Sequence, residues 1–132
     1  MLLIAFMLQA ASASQSQCDN AGGDLEIAQC WTHAFEQSDN ELNRAWPEVL
    51  KAAIDADNAF SAEDHARHPA AAADLRSAQR AWLKYRDSEC ALESDYAQGG
   101  SLQPIISGRC LTELTRARTK QLRAIASGFR EG

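Results

Sequence analysis

Proline is scarce in this chain, with three in 132 residues, and glycine, at seven, is little commoner. Such a composition argues against a linker-rich chain and against an all-β fold, whose turns draw heavily on both. No segment alternates apolar and polar residues at the period of a strand, no internal repeat is visible, and no glycine motif of the nucleotide-binding kind occurs. Missing too are a serine elbow and any cysteine–histidine arrangement that would suggest a nucleophile. Positive charge is in deficit, with 13 basic residues against 18 acidic ones and a net charge of −5. The bases of the C-terminal third lie on one segment whose sole aromatic is Phe129, which disfavours a nucleic-acid role.

Charge is absent altogether from the opening MLLIAFMLQAASASQSQ, which runs apolar and then reaches Ala11-Ser12-Ala13. The stretch resembles a secretory leader with an A-x-A cleavage site, although it lacks the basic start. It is too short for a comfortable transmembrane helix. Gln15-Ser16-Gln17 before Cys18 does not form a lipoprotein cleavage box. Residues 1–13 are therefore expected to be a signal peptide and residues 14–132 a single exported domain, periplasmic or secreted, with no stable membrane insertion after leader removal.

What is present points to helices. Of the mature chain, Leu25, Ala28, Thr32, Phe35, Asp39, Leu42, Trp46, Val49 and Ala53 recur at steps of three and four after an Asp24 N-cap, and Pro47 should kink or break that first helix. Around Asn58 to Asp74 the pattern lapses, so a loop is expected at Ser61 to Pro69. A second helix starts near Pro69 and carries Leu75, Ala78, Trp82 and Tyr85 to about Tyr96. A turn at Gly99-Gly100 leads to a third, with Ser101 as N-cap and Leu111, Leu114, Arg118, Leu122, Ile125 and Phe129 along its stripe. The fold class is all-α, an antiparallel bundle of three long helices, the first kinked near Pro47.

Four cysteines suit an exported chain. Three pairings are possible, and spacing favours Cys18–Cys30 and Cys90–Cys110, the latter straddling the glycine turn almost symmetrically. Cys30 and His33 share a helix face, but no second CxxC or CxxH accompanies them, so no metal site is expected and no cofactor either.

Charge is distributed unevenly. Cys18 to Ala66 carries −9, Arg67 to Ala97 balances, and Gln98 to Gly132 carries +4. Each long helix also sets a charge inside its own apolar stripe: Asp39, Arg86 and Arg118. Gln79, Trp82 and Arg86 fall within about 60° on one helical face. A buried guanidinium needs a partner, and a carboxylate meets the need of both groups. Asp39 is expected to pair with Arg86, Arg118 or both, with Gln79 and Thr115 completing a polar network that fixes helix register. The catalytic alternatives are weak. Two carboxylates such as Asp39 and Glu89 fall near one another by chance when there are 18, and His65 and His68 suit a solvated loop. No catalytic residue is assigned.

AQCWTHAFEQSDNELNRAW (Ala28 to Trp46), AQRAWLKYRDSEC (Ala78 to Cys90), GGS (Gly99 to Ser101) and CLTELTRARTKQL (Cys110 to Leu122) resemble the LprI-type family of small exported bacterial proteins. Asp39, Leu42 and Asn43 match its Asp-x-x-Leu-Asn motif, and Gln79, Trp82, Arg86 and Asp87 its Gln-x-x-Trp-x-x-x-Arg-Asp motif. Trp46-Pro47 departs from the family pattern, where an uninterrupted helix is usual. The resemblance implies a binding protein that inhibits lysozyme-like cell-wall hydrolases, its partner a cationic lysozyme or another exported protein. A non-inhibitory envelope interaction or stress module is the alternative. The acidic first half would supply long-range attraction, and a protruding loop would occlude the cleft. The candidate loops are Ser61 to Pro69, with Ser61, Glu63, Asp64, His65 and His68, and Gln98 to Ile106, with Ser101 and Gln103.

Overall fold

The structure is a computed structural model that describes residues 17–60 and 70–132. The expected leader and the expected loop Ser61 to Pro69 lie outside the described residues. Among those described, three α-helices run up, down and up: α1 (Asp24–Phe60, 37 residues), α2 (Ala71–Ser94, 24 residues) and α3 (Gln103–Glu131, 29 residues). A 3₁₀ turn, Asp95–Ala97, follows α2.

Asp24 and Glu26 place negative charge in the first turn of α1, where the helix dipole favours it. The helix then runs unbroken through Pro47. Proline removes one backbone donor, freeing the carbonyl of Asn43. Both Asn43 and Pro47 face solvent, so water can serve that carbonyl, while Leu42, Ala45 and Val49 keep the opposite face packed. Of the kink or break expected at Pro47, the break does not occur.

The start of α2 is capped from another helix. Ala70 offers no side chain to the orphan amides, and the Asp57 carboxylate of α1 accepts from both Ala71 N (2.8 Å) and Ala72 N (3.0 Å). At the other end Gln98 (φ 42°) and Gly99 (φ 82°) turn the chain in left-handed conformations. Helix α3 opens at Gln103 with Pro104 in its first turn and no side-chain cap. Ser101, expected as that cap, instead donates to Asp24 Oδ2 at 2.6 Å, since a carboxylate is the stronger acceptor. This bond ties the turn to the beginning of α1.

Parallel to one another, α1 and α3 make the closest seam. A Cβ added at Gly108 would lie 2.9 Å from Trp31 Cβ, so only glycine fits there. The seam continues through Ala34, Ser38, Thr112, Thr115 and Thr119, all buried. Three of the hydroxyls are served within their own helices: Ser38 donates to Ala34 O (2.7 Å), Thr112 to Gly108 O (2.7 Å) and Thr119 to Thr115 O (3.1 Å). Beyond the seam, Leu42, Val49, Ala53, Leu75, Leu122 and Ala126 form the main apolar core. Cys18, Trp31 and Ala34 form a smaller one beneath Ile27 and Ile105.

The disulfides are Cys18–Cys30 and Cys90–Cys110, and no described cysteine is free. The expected stripes are turned from the observed ones at several positions. Leu25, Thr32, Ala78, Tyr85 and Phe129 are exposed, whereas Trp31, Ala34, Ser38 and Thr119 are inside.

Candidate functional site

Two regions compete as the functional site: the polar groups inside the bundle and the exposed end that carries the glycine turn. Within the bundle, Arg86 of α2 points at both other helices. Its Nη1 lies 3.4 Å from Asp39 Oδ1 on α1 and donates to Thr115 Oγ1 on α3 at 3.3 Å, while Nε donates to Asp87 Oδ1 at 2.9 Å. Arg118 of α3 donates from Nε to Gln79 Oε1 (2.9 Å) and from Nη1 to Gln121 Oε1 (2.6 Å). Asp39 thus meets Arg86 and not Arg118.

Aromatic faces complete this arrangement. The Arg86 guanidinium sits over Phe35 (5.1 Å) and Trp82 (5.2 Å), and Arg118 lies over Trp82 at 5.8 Å. The indole therefore spreads its π-density between two cations, an attraction that strengthens as water is excluded. Burial lowers the Arg118 pKa from the usual arginine value, because the charged form loses hydration. The contributions of Phe35, Asp87 and Gln121 were not anticipated from sequence. Asp87 is adjacent to Arg86 and Gln121 is one turn from Arg118, so both could have been found by asking which neighbours a buried guanidinium reaches.

Chemically, this network is satisfied mostly from within. All but one of its guanidinium nitrogens that lie buried find protein acceptors, the exception being Arg118 Nη2, and the groups that face one another are guanidinium, amide, hydroxyl and two partly exposed carboxylates, Asp39 on α1 and Asp87 on α2. No group of three or more His, Cys, Asp or Glu among the described residues is placed to hold a metal ion.

The second region is the end of the bundle where α1 begins, α2 ends and α3 begins. Both disulfides lie there. Ser101 is exposed and Gln103 half-buried, whereas Ser61, Glu63, Asp64, His65 and His68 lie outside the described residues. Large apolar side chains are left in solvent: Tyr96 at 78% exposure, Leu25 at 67% and Leu102 at 53%. The segment from Ala97 to Ile106 carries no charge. The segments that meet here carry Asp19, Asp24, Glu26, Glu93, Asp95 and Glu113, together with Arg109 and with Arg116, which donates to Gln17 Oε1 at 2.8 Å. Arg109 donates to Asp19 Oδ1 at 3.1 Å and stacks on the fully buried Trp31 at 5.3 Å. Beside the turn a pocket of about 190 Å³ is lined by Glu93, Tyr96, Ile105, Ile106, Arg109, Cys110 and Glu113. Sequence periodicity gave no sign of these exposed apolar groups, since it reads a large apolar residue as a buried one.

No described helix is long and apolar enough to cross a membrane. The family described as lysozyme inhibitor LprI matches residues 14–122. An uncharacterized protein of Rhizobium meliloti (strain 1021) is 34% identical over 115 residues, covering 87% of this chain and 82% of that protein. No solved structure matches.

Proposed function

The chain belongs to the lysozyme inhibitor LprI family, and from that premise we propose that it is an exported protein that inhibits a lysozyme-like cell-wall hydrolase by seating the glycine-turn end of its bundle over the enzyme's cleft. The carrying observation is the exposed Tyr96, Leu25 and Leu102 around an uncharged turn, on an end where acids outnumber bases. Interface energy concentrates in a few large side chains of this kind.

Charge divides the labour. Lysozyme clefts hold catalytic carboxylates, which an acidic loop would meet at a cost but an amide-bearing turn can satisfy. Gln98 is exposed at the tip and its amide offers two donors. The surrounding acids attract the cationic exterior of such an enzyme and raise the rate of encounter. The turn is held for this task by Cys90–Cys110 and by the Ser101–Asp24 bond, which reduces the ordering entropy lost on binding. In this reading Asp39, Gln79, Arg86, Thr115 and Arg118 set helix register and do not touch the partner. Two disulfides suit an oxidising compartment outside the cytoplasm.

The test is lysis of bacterial cell walls by animal and bacterial lysozymes in the presence of the oxidised mature chain. Inhibition is expected for at least one enzyme, weakening as salt rises, and Tyr96→Ala with Leu102→Ala should weaken it by roughly tenfold or more. A correctly oxidised chain that inhibits neither enzyme class at high micromolar excess refutes the proposal and favours a non-inhibitory envelope partner.

A further inference from the structure

Within the docking end, the pocket beside the turn has a composition of its own. Ile106, Arg109, Cys110 and Glu113 recur at helical spacing along α3, so they share one face. Glu93 reaches in from the last turns of α2, and Tyr96 closes the side from the 3₁₀ turn. The floor is apolar, supplied by Ile105, Ile106 and the disulfide. Two carboxylates stand on the walls.

Neither carboxylate is satisfied by the protein. Glu93 Oε2 lies 3.2 Å from Cys110 Sγ, but that sulfur is in a disulfide and has no proton to donate. No N–H or O–H donor among the described residues reaches Glu93 or Glu113. The basic lining residue, Arg109, directs its Nη2 at Asp19 and its flat face at Trp31. With two carboxylates against one guanidinium in its lining, the pocket presents net negative charge above an apolar floor, with an exposed phenol ring at its edge. At about 190 Å³ it is smaller than the roughly 300–1,000 Å³ of small-molecule sites. It has room for one long side chain.

We infer that this pocket receives a lysine or arginine side chain of the partner hydrolase, the methylene stem lying on Ile105 and Ile106 and the cationic head between Glu93 and Glu113. The inference rests on the inhibitory reading above and adds to it a defined anchor point and its chemistry. The Tyr96 ring supplies a further face for the cation. A long basic side chain fits both halves of the site, because it buries its stem while keeping its charge at the rim.

Two experiments run side by side. In the first, side-chain NMR signals of Tyr96, Ile105 and Ile106 in the oxidised full chain are followed during titration with N-acetyl-lysine methylamide, N-acetyl-norleucine methylamide and N-acetyl-glutamate methylamide. Saturable shifts are expected with the lysine probe and not with the other two, and Glu93→Gln with Glu113→Gln should weaken that binding by about tenfold or more, the worth of charge-assisted hydrogen bonds. In the second, the same double variant is assayed against an animal lysozyme and should lose inhibition by a similar factor. Each single variant serves in case the pair disturbs folding, with the melting transition as control.

Equal shifts from norleucine, or a preference for glutamate, overturn the cation assignment. Inhibition undiminished in the double variant removes the pocket from the docking surface and leaves the inhibitory reading intact. A wild-type chain that binds the lysine probe but inhibits no lysozyme has the reverse effect: the site stands and the choice of partner falls.

Discussion

Two glycines in the same helix should respond to alanine with opposite signs. At Gly128 an added Cβ meets nothing within 4 Å, and the substitution simply removes backbone freedom from the unfolded chain. Stability should rise by about 0.5 kcal/mol, somewhat less than the ~1 kcal/mol helix preference of alanine, because the site lies in the last turn. At Gly108 the same preference applies, but the new methyl would stand 2.9 Å from Trp31 Cβ and 3.4 Å from its carbonyl carbon. Neither neighbour can swing away. Trp31 is fully buried, and the residue before it is cross-linked to Cys18. Overpacking of this kind costs about 1–3 kcal/mol, so α1 and α3 must part and the net effect is a loss of up to about 2 kcal/mol. For a chain of this size the melting temperature should fall by up to roughly 8 °C for Gly108→Ala and rise by about 1–3 °C for Gly128→Ala. Thermal unfolding of the oxidised proteins, followed by circular dichroism, reads both. A Gly108→Ala protein as stable as Gly128→Ala would mean that the α1–α3 seam is not the close contact described above.

Removing Arg86 should cost more than removing Asp39. Arg86→Ala strips a buried guanidinium from Phe35, Trp82 and Thr115, a loss of about 3 kcal/mol, whereas Asp39→Ala leaves Arg86 paired with Asp87 and costs about 1 kcal/mol. Urea unfolding of the two variants decides, and the reverse order would show that Asp39 is the indispensable partner. Asp57→Ala deprives two α2 amides of their acceptor and should destabilise by about 1–2 kcal/mol, with faster amide exchange at Ala71 and Ala72. Unchanged exchange there would refute the interhelical cap.

The helical class, the order of the three helices and the cysteine pairs were legible because each depends on local spacing. Arg86 and Asp39 were also legible, since a charge in an apolar stripe requires a partner from elsewhere in the fold. The phase of each stripe was harder to read. Ranking residues by apolar size put Leu25, Tyr85 and Phe129 inside, but the α1–α3 seam admits only small groups where the backbones approach. Ser38, Thr112 and Thr119 qualify because their hydroxyls turn back to carbonyls four residues earlier and present methyl or methylene groups outward. Such internal satisfaction leaves no trace in a hydropathy pattern. At the glycine-turn end the loop Gln98 to Ile106 was legible, but Tyr96 and Leu25 beside it were not. Tyr96, Leu25 and Leu102 come from three separate segments, which the Ser101–Asp24 bond, the Cys90–Cys110 disulfide and the left-handed turn bring together.

Both covalent ties lie at one end of the molecule, and this gives the bundle a direction. From Cys18–Cys30 and Cys90–Cys110 the helices extend towards Phe60, Ala71 and Glu131, where an interhelical cap and alanine contacts hold them. Local opening follows the weakest contacts, so amide protection should decline with distance from the disulfides, and the free ends of the helices should splay first. Heat or proteolysis would then consume the molecule from its far end, while the end that carries the glycine turn is the last part to lose its shape.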